Sequence, residues 1–167
     1  MARRFRGESV HKVDGKGRVS IPAPFRRVLE EGDPDWKPGD NPTFVLIYGR
    51  KGRRCLEGYS MLSMERVDDM ISEMPRFSRD REILERMLNT QSVYAHVDEN
   101  GRIVLSAKLR ERIGVKSEAV FAGMGEKFQI WEPGAYQEDM NSIDQLLSEV
   151  DEENDPFARL DRYRPEN

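Results

Sequence analysis

The sequence predicts an α+β fold with a mainly β core, in which two tandem copies of one strand–turn–strand–helix unit pair about a pseudo-two-fold axis. A segment of 17 residues beginning at Val13 recurs at Val97 with a constant offset of 84, so the chain contains an internal repeat. Within each copy, apolar residues first alternate as in a strand and then recur at helical spacing. A two-stranded hairpin is marginal on its own in water, so two copies have a physical reason to dock and share one small barrel-like β core.

The composition is typical of a folded protein with a modest core, and it excludes several protein classes. The 167 residues are 37% apolar and include 13 glycines, which together come close to the globular average. The single cysteine, Cys55, excludes a disulfide framework and a cysteine-built zinc site. The longest apolar run, Phe44–Tyr48, is far shorter than the roughly 20 residues of a membrane-spanning helix. No apolar segment follows the basic N-terminus as in a signal peptide, so we expect a soluble, cytosolic protein with no membrane partner.

The two copies agree both in identity and in apolar character. Six of the 17 aligned positions are identical, where about one identity is expected by chance. This pattern predicts the same supersecondary unit twice. Four further positions keep an apolar residue in both copies: Val19/Ile103, Ile21/Leu105, Phe25/Leu109 and Leu29/Ile113.

Each copy predicts a strand, a turn rich in residues that tolerate a positive φ, a return strand and a short helix. In the first copy these are Ser9–Val13, Asp14–Gly17, Arg18–Ile21 and a helix whose first turn suits Pro22 and Pro24. In the second copy they are Tyr94–Val97, Asp98–Gly101, Arg102–Leu105 and a helix with Ser106 as its N-cap and Gly114 as its C-terminal stop.

Each copy then continues with two strands and a closing amphipathic helix, and in the first copy a long loop, Glu30–Pro42, precedes the strands. The first copy's elements are predicted at Thr43–Tyr48, Arg54–Glu57, Met61–Met74 and a further helix, Arg79–Asn89, capped by Ser78. Those of the second copy are predicted at Ala119–Ala122, Phe128–Trp131 and Ala135–Val150. The predicted domains are residues 5–90, residues 91–150 and a charged, flexible tail at 151–167.

The closing helices carry apolar residues at helical spacing, and we expect both stripes to be core. The stripes are Met64, Val67, Ile71 and Met74 in the first copy, and Tyr136, Met140, Ile143, Leu147 and Val150 in the second.

Charge is distributed unevenly along the chain. Lys and Arg number 27 and Asp and Glu 31, a net charge of −4, yet residues 1–27 alone carry +6. One interpretation is that the charged segments are solvated faces. Another is a basic surface kept apart from an acidic body, which orients the protein on a polyanion. The basic side chains of the segment are Arg3, Arg4, Arg6, Lys12, Lys16, Arg18, Arg26 and Arg27.

Both turns carry an Asp and, four residues later, an Arg: Asp14 with Arg18, and Asp98 with Arg102. One interpretation is structural. The Asp accepts backbone N–H groups, the Gly supplies the special φ, and the Arg pairs with the Asp. The other is that the tip presents Arg18, with Lys16 beside it, to a phosphate or a guanine edge, because the planar Arg fork makes two parallel hydrogen bonds. Composition and spacing leave both interpretations open.

The segment His11–Arg26, the start Phe5–Gly7 and the second copy Val97–Arg110 closely resemble the MraZ family of bacterial transcriptional regulators, built from two AbrB-type swapped-hairpin domains. The resemblance covers the chain up to about residue 150. It implies a pseudo-two-fold double-split or swapped-hairpin β-barrel with flanking helices. It also implies ring-like homo-oligomers that bind tandem repeats of double-stranded promoter DNA upstream of the division and cell-wall gene cluster. The expected output is repression, by a protein associated with the nucleoid.

In that family the Asp-x-x-x-Arg segments carry DNA recognition, and the resemblance transfers this role to both turns. The second turn has Asn100 where the first has Lys16, so we expect the first turn to contact DNA more strongly. With neighbouring basic residues included, the candidate DNA-binding residues are Asp14, Lys16, Arg18, Asp98, Arg102, Arg6 and Lys12.

An enzyme finds little support in the sequence. The two histidines, His11 and His96, lack metal-ligand spacing, and Cys55 lies in a predicted strand as a small hydrophobe. The sequence contains neither a phosphate-binding loop nor a nucleophile elbow. We therefore predict no catalytic residue, no cofactor, no metal site and no small-molecule substrate.

A protein-interaction module is the alternative function. AbrB-like antitoxins share the hairpin core and bind a toxin through a disordered C-terminal tail. Residues 151–167, which contain Phe157, Leu160 and Tyr163, could act in this way. A partner that co-purifies would favour this alternative, whereas a large homo-oligomer that shifts promoter DNA would favour the regulator.

Overall fold

Eight strands and six α-helices form from residues 3–49, 52 and 54–166, which are the residues that this computed structural model describes. The first repeat contributes β1 (Glu8–Lys12), β2 (Arg18–Ser20), α1 (Ala23–Glu31), β3 (Thr43–Ile47), β4 (Cys55–Ser60), α2 (Met61–Ser72), α3 (Arg79–Glu85) and a π-helical turn (Arg86–Thr90). The second repeat contributes β5 (Ser92–His96), β6 (Arg102–Val104), α4 (Ala107–Ile113), β7 (Glu118–Gly123) and β8 (Lys127–Trp131). The chain continues with α5 (Pro133–Glu149), α6 (Pro156–Leu160) and a 3₁₀ turn (Asp161–Tyr163). Residues up to Pro133 form one compact unit and residues from Gly134 onward form another.

Strand pairing in the first unit crosses between the two repeats. The six-stranded antiparallel sheet has the order β1-β7-β8-β4-β3-β5, so the first strand of each repeat pairs with a strand of the other repeat. Exchanging the two repeats reverses this order and leaves it otherwise unchanged, which is a pseudo-two-fold arrangement. The prediction of an α+β fold with two interleaved repeats and a mainly antiparallel β core is therefore confirmed.

Strands β2 and β6 pair with each other in a separate two-stranded antiparallel ribbon, with Val19 opposite Ile103. This ribbon packs beside the edge strands, β2 contacting β1 and β6 contacting β5. Among the described residues the hydrogen-bonded ladder does not run from β1 to β5, so the predicted barrel takes the form of an open sheet and a ribbon around one core.

Strands β1 and β2, which flank the first turn, do not pair with each other as a simple hairpin would; they are exchanged between the repeats, as the resemblance to swapped-hairpin domains implies. Only the turn itself keeps a backbone pair, in which the Asp14 N–H donates to the Arg18 carbonyl at 3.1 Å. Strand β1 instead forms a five-residue ladder with β7, from Glu8 opposite Ala122 to Lys12 opposite Glu118. The five-residue ladder with β7 satisfies more backbone N–H and C=O groups of β1 than the three-residue β2 could. The pairing of β2 with β6 also buries Val19 and Ile103 together.

The core of the first unit is shared by both repeats. Phe128 lies at its centre, and the rings of four other phenylalanines have their centroids 5.1–6.0 Å from the Phe128 ring. Gly58 on β4 makes room for this ring, because a Cβ there would overlap it. Since the surrounding rings come from both repeats, neither repeat has a complete core without the other. The four are Phe5, Phe25, Phe44 and Phe121.

The predicted helix ends are confirmed where a cap residue signals them. Ser78 and Ser106 each accept a backbone N–H of the first helical turn, and Gly114 adopts a φ of 72° at the end of α4. The predicted helix Arg79–Asn89 changes to π-helical geometry at Arg86, which the sequence does not signal. Within the described ranges, no helix is both long and apolar enough to cross a bilayer.

The second unit differs from the prediction in the burial of its long helix. The apolar stripe of α5 is not core, because Ile143 is exposed and Tyr136, Met140, Leu147 and Val150 are only partly buried. Within residues 151–166, α6 and the 3₁₀ turn form, and their side chains are exposed. In the first copy the corresponding stripe does supply core residues, Met64 and Ile71.

Candidate nucleic-acid interface

The first turn, Asp14–Arg18, is built around one carboxylate. Asp14 Oδ1 accepts the backbone N–H groups of Lys16 at 3.0 Å and Arg18 at 2.9 Å, and its Oδ2 accepts Arg18 Nε at 2.6 Å. Gly17 has a φ of +85°, and a Cβ there would overlap the carbonyl oxygen of Leu105. The predicted turn chemistry is thus confirmed, and the aspartate also fixes the direction of the arginine.

The second turn, Asp98–Arg102, repeats this construction with a looser ion pair. Asp98 Oδ1 accepts the N–H groups of Asn100 at 2.8 Å and Arg102 at 2.9 Å. Arg102 Nε lies 3.5 Å from Asp98 Oδ2, a longer separation than in the first turn. Gly101 has a φ of +73°.

Both turn carboxylates are held in the ionised form. Hydrogen bonding to the Arg18 N–H is the main cause that lowers the pKa of Asp14, and the Arg18 side chain lowers it further. The pKa of Asp98 is lowered in the same way, first by the Arg102 N–H and then by the Asn100 N–H. Each aspartate therefore stays negative at neutral pH. Asp14 also orients Arg18 through the Nε hydrogen bond, whereas Arg102 Nε, at 3.5 Å from Asp98, makes no such bond.

The two arginines share the outer face of the β2–β6 ribbon. Arg18 lies opposite Val104 and Ser20 lies opposite Arg102, while Val19 and Ile103 point into the core. Because side chains alternate along a strand, all four flanking residues face outward. Arg18 and Arg102 are diagonal neighbours, with Cα atoms about 7–8 Å apart. Their side chains are 40% and 34% exposed, so both are accessible to a ligand.

Each turn is held in place by the other repeat. The Ile21 N–H donates to the Gly101 carbonyl at 2.9 Å, and the Leu105 N–H donates to the Gly17 carbonyl at 2.8 Å. Two equivalent helix residues complete the support. The Arg26 side chain occupies the space where a Cβ of Gly101 would lie, and Arg110 Nε donates to the Leu105 carbonyl at 3.0 Å. The ribbon and its turns are therefore joined by hydrogen bonds and close contacts that come from both repeats.

The remaining predicted residues lie at different distances from this element. Lys16 is exposed in the first turn, and Lys12 is exposed at the end of β1 that leads into it. Arg6 lies beyond the opposite end of β1, in an open groove beside Gly123 and Met124. The structure thus brings Lys12 and Lys16 to the turn and does not bring Arg6 there.

The N-terminal basic segment is less available than its charge predicts. Arg3 Nε lies 2.7 Å from a Glu31 carboxylate oxygen, and Arg4 Nη1 lies 3.0 Å from Glu126. These two cations are partly neutralised within the first unit. Arg18 is paired as well, with Asp14, so the exposed lysines near the first turn, Lys12 and Lys16, add to the charge that this turn presents to a polyanion.

Ser20 and Val104 are ribbon residues that sequence reasoning missed. Their position follows from strand alternation once β2 and β6 are known to pair, but the repeat alignment does not reveal that pairing.

The two histidines lie in strands and contact hydroxyl groups. His11 Nε2 lies 2.7 Å from Ser9 Oγ, and His96 Nδ1 lies 3.0 Å from Thr43 Oγ1. Burial lowers the pKa of His11. In the part of the chain that the structure describes, no three His, Cys, Asp or Glu side chains cluster as metal ligands would.

The sequence is similar to members of one protein family. A family model described as "MraZ protein, putative antitoxin-like" matches residues 4–87 and again residues 88–157. The chain is 53% identical over 162 residues to a protein named transcriptional regulator MraZ from Ruegeria sp. (strain TM1040), covering 96% of this chain and 97% of the relative. Proteins of the same name from Ruegeria pomeroyi and Cereibacter sphaeroides (strain ATCC 17029) are 52% and 44% identical, over 96% and 88% of this chain and 97% and 90% of the relatives.

Proposed function

The chain belongs to the MraZ family, and from this premise we propose that it is a DNA-binding transcriptional repressor that contacts DNA through the β2–β6 ribbon and its two turns. One observation carries the proposal: Arg18 and Arg102 share the outward face of the ribbon, and each lies beside the aspartate of its own turn. The major groove of B-form DNA admits a two-stranded β ribbon. With Nε directed at the aspartate, a guanidinium keeps further donors for O6 and N7 of a guanine.

The magnitudes favour an oligomer as the binding species. One ribbon offers few phosphate contacts, and such contacts alone give a Kd of about 10⁻⁴–10⁻⁶ M at physiological salt. Several protomers on neighbouring DNA repeats make later contacts intramolecular, which raises the affinity by about 10²–10⁴. We therefore propose a ring-like homo-oligomer on tandem promoter repeats upstream of the division and cell-wall gene cluster, including the protein's own gene.

This function needs no catalysis and places the protein at the nucleoid in the cytoplasm. The residues outside 1–27 carry a net charge of −10, and the acidic side chains among them repel DNA. The basic segment 1–27, which includes Lys16 and Arg18 of the first turn, is therefore the part of the chain that attracts the duplex. Such charge separation orients the protein during encounter and makes binding strongly dependent on salt.

The test is DNA binding measured by fluorescence anisotropy on the promoter region of the protein's own gene, repeated from about 50 to 200 mM salt. Arg18→Ala and Arg102→Ala should each weaken binding by about tenfold or more, as expected for a lost bidentate contact to guanine. Arg79→Ala is the matched control, since Arg79 is a 78%-exposed arginine paired with Glu82 on α3. If the double variant Arg18→Ala/Arg102→Ala keeps both the affinity and the salt dependence of the parent, the ribbon is not the DNA site.

A second candidate function is protein binding through the C-terminal segment. Phe157, Leu160 and Tyr163 are all strongly exposed, and three exposed large apolar side chains within seven residues suit a protein partner. Deleting residues 151–167 separates the two candidates. The deletion should leave promoter binding intact if the chain acts through the ribbon, and it should abolish co-purification of a partner if the chain acts as an antitoxin-like module.

A further inference from the structure

We propose that Val104 and Ser20 make the two ends of the ribbon read different bases. Val104 packs against the 5-methyl group of a thymine, and Ser20 faces a base edge with which it exchanges a hydrogen bond. This inference rests on the proposed function, because it assigns base specificity to the same ribbon. It goes beyond that function in naming which residues discriminate sequence next to the two arginines.

The geometry of the ribbon singles out these two positions. Strand alternation puts four side chains on the outer face, and the pseudo-two-fold relation pairs Arg18 with Arg102 and Ser20 with Val104. The arginine pair is identical, whereas the second pair joins a hydroxyl to an aliphatic side chain. Positions 20 and 104 are therefore the only places on this face where the two ends differ in residue type.

Val104 has the surroundings that a methyl-reading residue needs. Its side chain is 62% exposed, whereas the preceding residue of the strand, Ile103, points into the core and is 2% exposed. It lies directly across the ribbon from Arg18, so a base that contacts Val104 would neighbour the base that Arg18 contacts. Thymine is the only one of the four bases that presents a methyl group in the major groove, and apolar side chains contact it there.

Ser20 provides the contrasting end. It is exposed and lies directly opposite Arg102, as Val104 lies opposite Arg18. A hydroxyl both donates and accepts, so it can serve several base edges but gains nothing from a methyl group. The end that carries Arg102 and Ser20 is therefore expected to tolerate loss of a thymine methyl.

The turns extend this asymmetry in charge. The first turn places Lys16 beside the Arg18–Val104 end, and the second places Glu99 and Asn100 beside the Arg102–Ser20 end. One end is therefore more cationic as well as more apolar. The two differences coincide, so a duplex site has one preferred orientation on the ribbon.

The experiment replaces the thymines of a bound duplex, one at a time, by deoxyuridine, which lacks only the methyl group. At one thymine the parent protein should lose affinity by about three- to fivefold, the effect of one buried methyl group. Val104→Ser should abolish that loss, and Ser20→Ala should preserve it. The exchange variant Ser20→Val/Val104→Ser keeps composition and net charge, and it should move the methyl dependence to the opposite end of the site.

Two results would overturn the inference: no thymine at which deoxyuridine weakens the parent, or the same deoxyuridine penalty in the parent and in Val104→Ser. Thermal unfolding of Val104→Ser in the same buffer shows that its fold is kept. Arg18→Ala on the unmodified duplex separates this failure from that of the proposed function. If Arg18→Ala weakens binding while the methyl scan stays flat, the ribbon binds DNA and only the role of Val104 is refuted.

Discussion

Oδ2 of Asp14 lies 2.6 Å from Nε of Arg18, so a negative charge stands beside the cation that we propose to meet DNA. A carboxylate near a phosphate backbone is unfavourable in simple electrostatic terms. The same carboxylate accepts two backbone N–H groups of the turn and fixes the direction of the guanidinium. Repulsion from phosphate weakens DNA binding, whereas orientation of Arg18 strengthens it. Removing Asp14 therefore shows which of the two effects is larger.

Asp14→Ala should weaken DNA binding even though it removes a negative charge from the interface. The turn loses its acceptor and the arginine loses its orientation, and these losses outweigh the relief of repulsion from phosphate. Fluorescence anisotropy on the promoter duplex measures the effect. The control is Glu99→Gln, which removes a carboxylate from the second turn, and we expect unchanged or tighter binding. Tighter binding by Asp14→Ala would mean that the aspartate does not position Arg18.

Gly17→Ala should destabilise the protein more than Gly114→Ala does. Both glycines have a positive φ, of +85° and +72°. An alanine at either position would adopt this left-handed backbone conformation at a cost of about 1–2 kcal/mol. Of the two, only Gly17 would also bring a Cβ into overlap with backbone, namely the carbonyl oxygen of Leu105, which directly follows β6. Urea denaturation gives both free energies of unfolding. Equal losses would contradict the close approach of the first turn to the end of β6.

Phe128→Ala should lower the free energy of unfolding by about 3–5 kcal/mol, since it empties the centre of the shared core. The first unit should still unfold in one transition, because the neighbouring rings come from both repeats. Phe77→Ala is the matched control: Phe77 is 95% exposed, and its removal should change stability by less than about 0.5 kcal/mol. Calorimetry with both variants checks this, and separate transitions for the two repeats would refute a common core.

Acid should destabilise the parent more than the variant Asp14→Asn/Asp98→Asn. Backbone hydrogen bonds lower the pKa of both aspartates in the folded state, so the unfolded chain binds more protons at low pH. The stability that these groups contribute is complete above the ordinary aspartate pKa and is lost as the pH falls through the lowered values. Urea midpoints from about pH 5 to about pH 3 should therefore fall more steeply for the parent. Parallel curves for the two proteins would contradict the assigned pKa shifts.

Local signals in the sequence were enough to predict the turns and the helix caps. The first turn is predictable because its hydrogen-bonding and positive-φ residues, Asp14, Gly17 and Arg18, lie within five positions of one another. Helix α4 is predictable in the same way, because it begins after Ser106 and ends before Gly114. The stripe of α5 misled, because helical spacing of apolar residues indicates a face without indicating whether anything covers it. Ile143 lies on such a face and is exposed.

By itself, the order of the residues determined that this protein has two copies of one unit, each ending its first strand in an Asp-x-x-x-Arg turn. Only the tertiary structure decided that β1 pairs with β7 and β2 with β6, and hence that Ser20 and Val104 stand beside the two arginines. The hydrogen bonds of each turn join residues only two to four positions apart, so a short stretch of sequence is enough to predict them. Strand exchange depends on which partner strand, 82 to 114 residues away along the chain, satisfies more backbone groups and buries Val19 and Ile103. That comparison exists only in the folded chain.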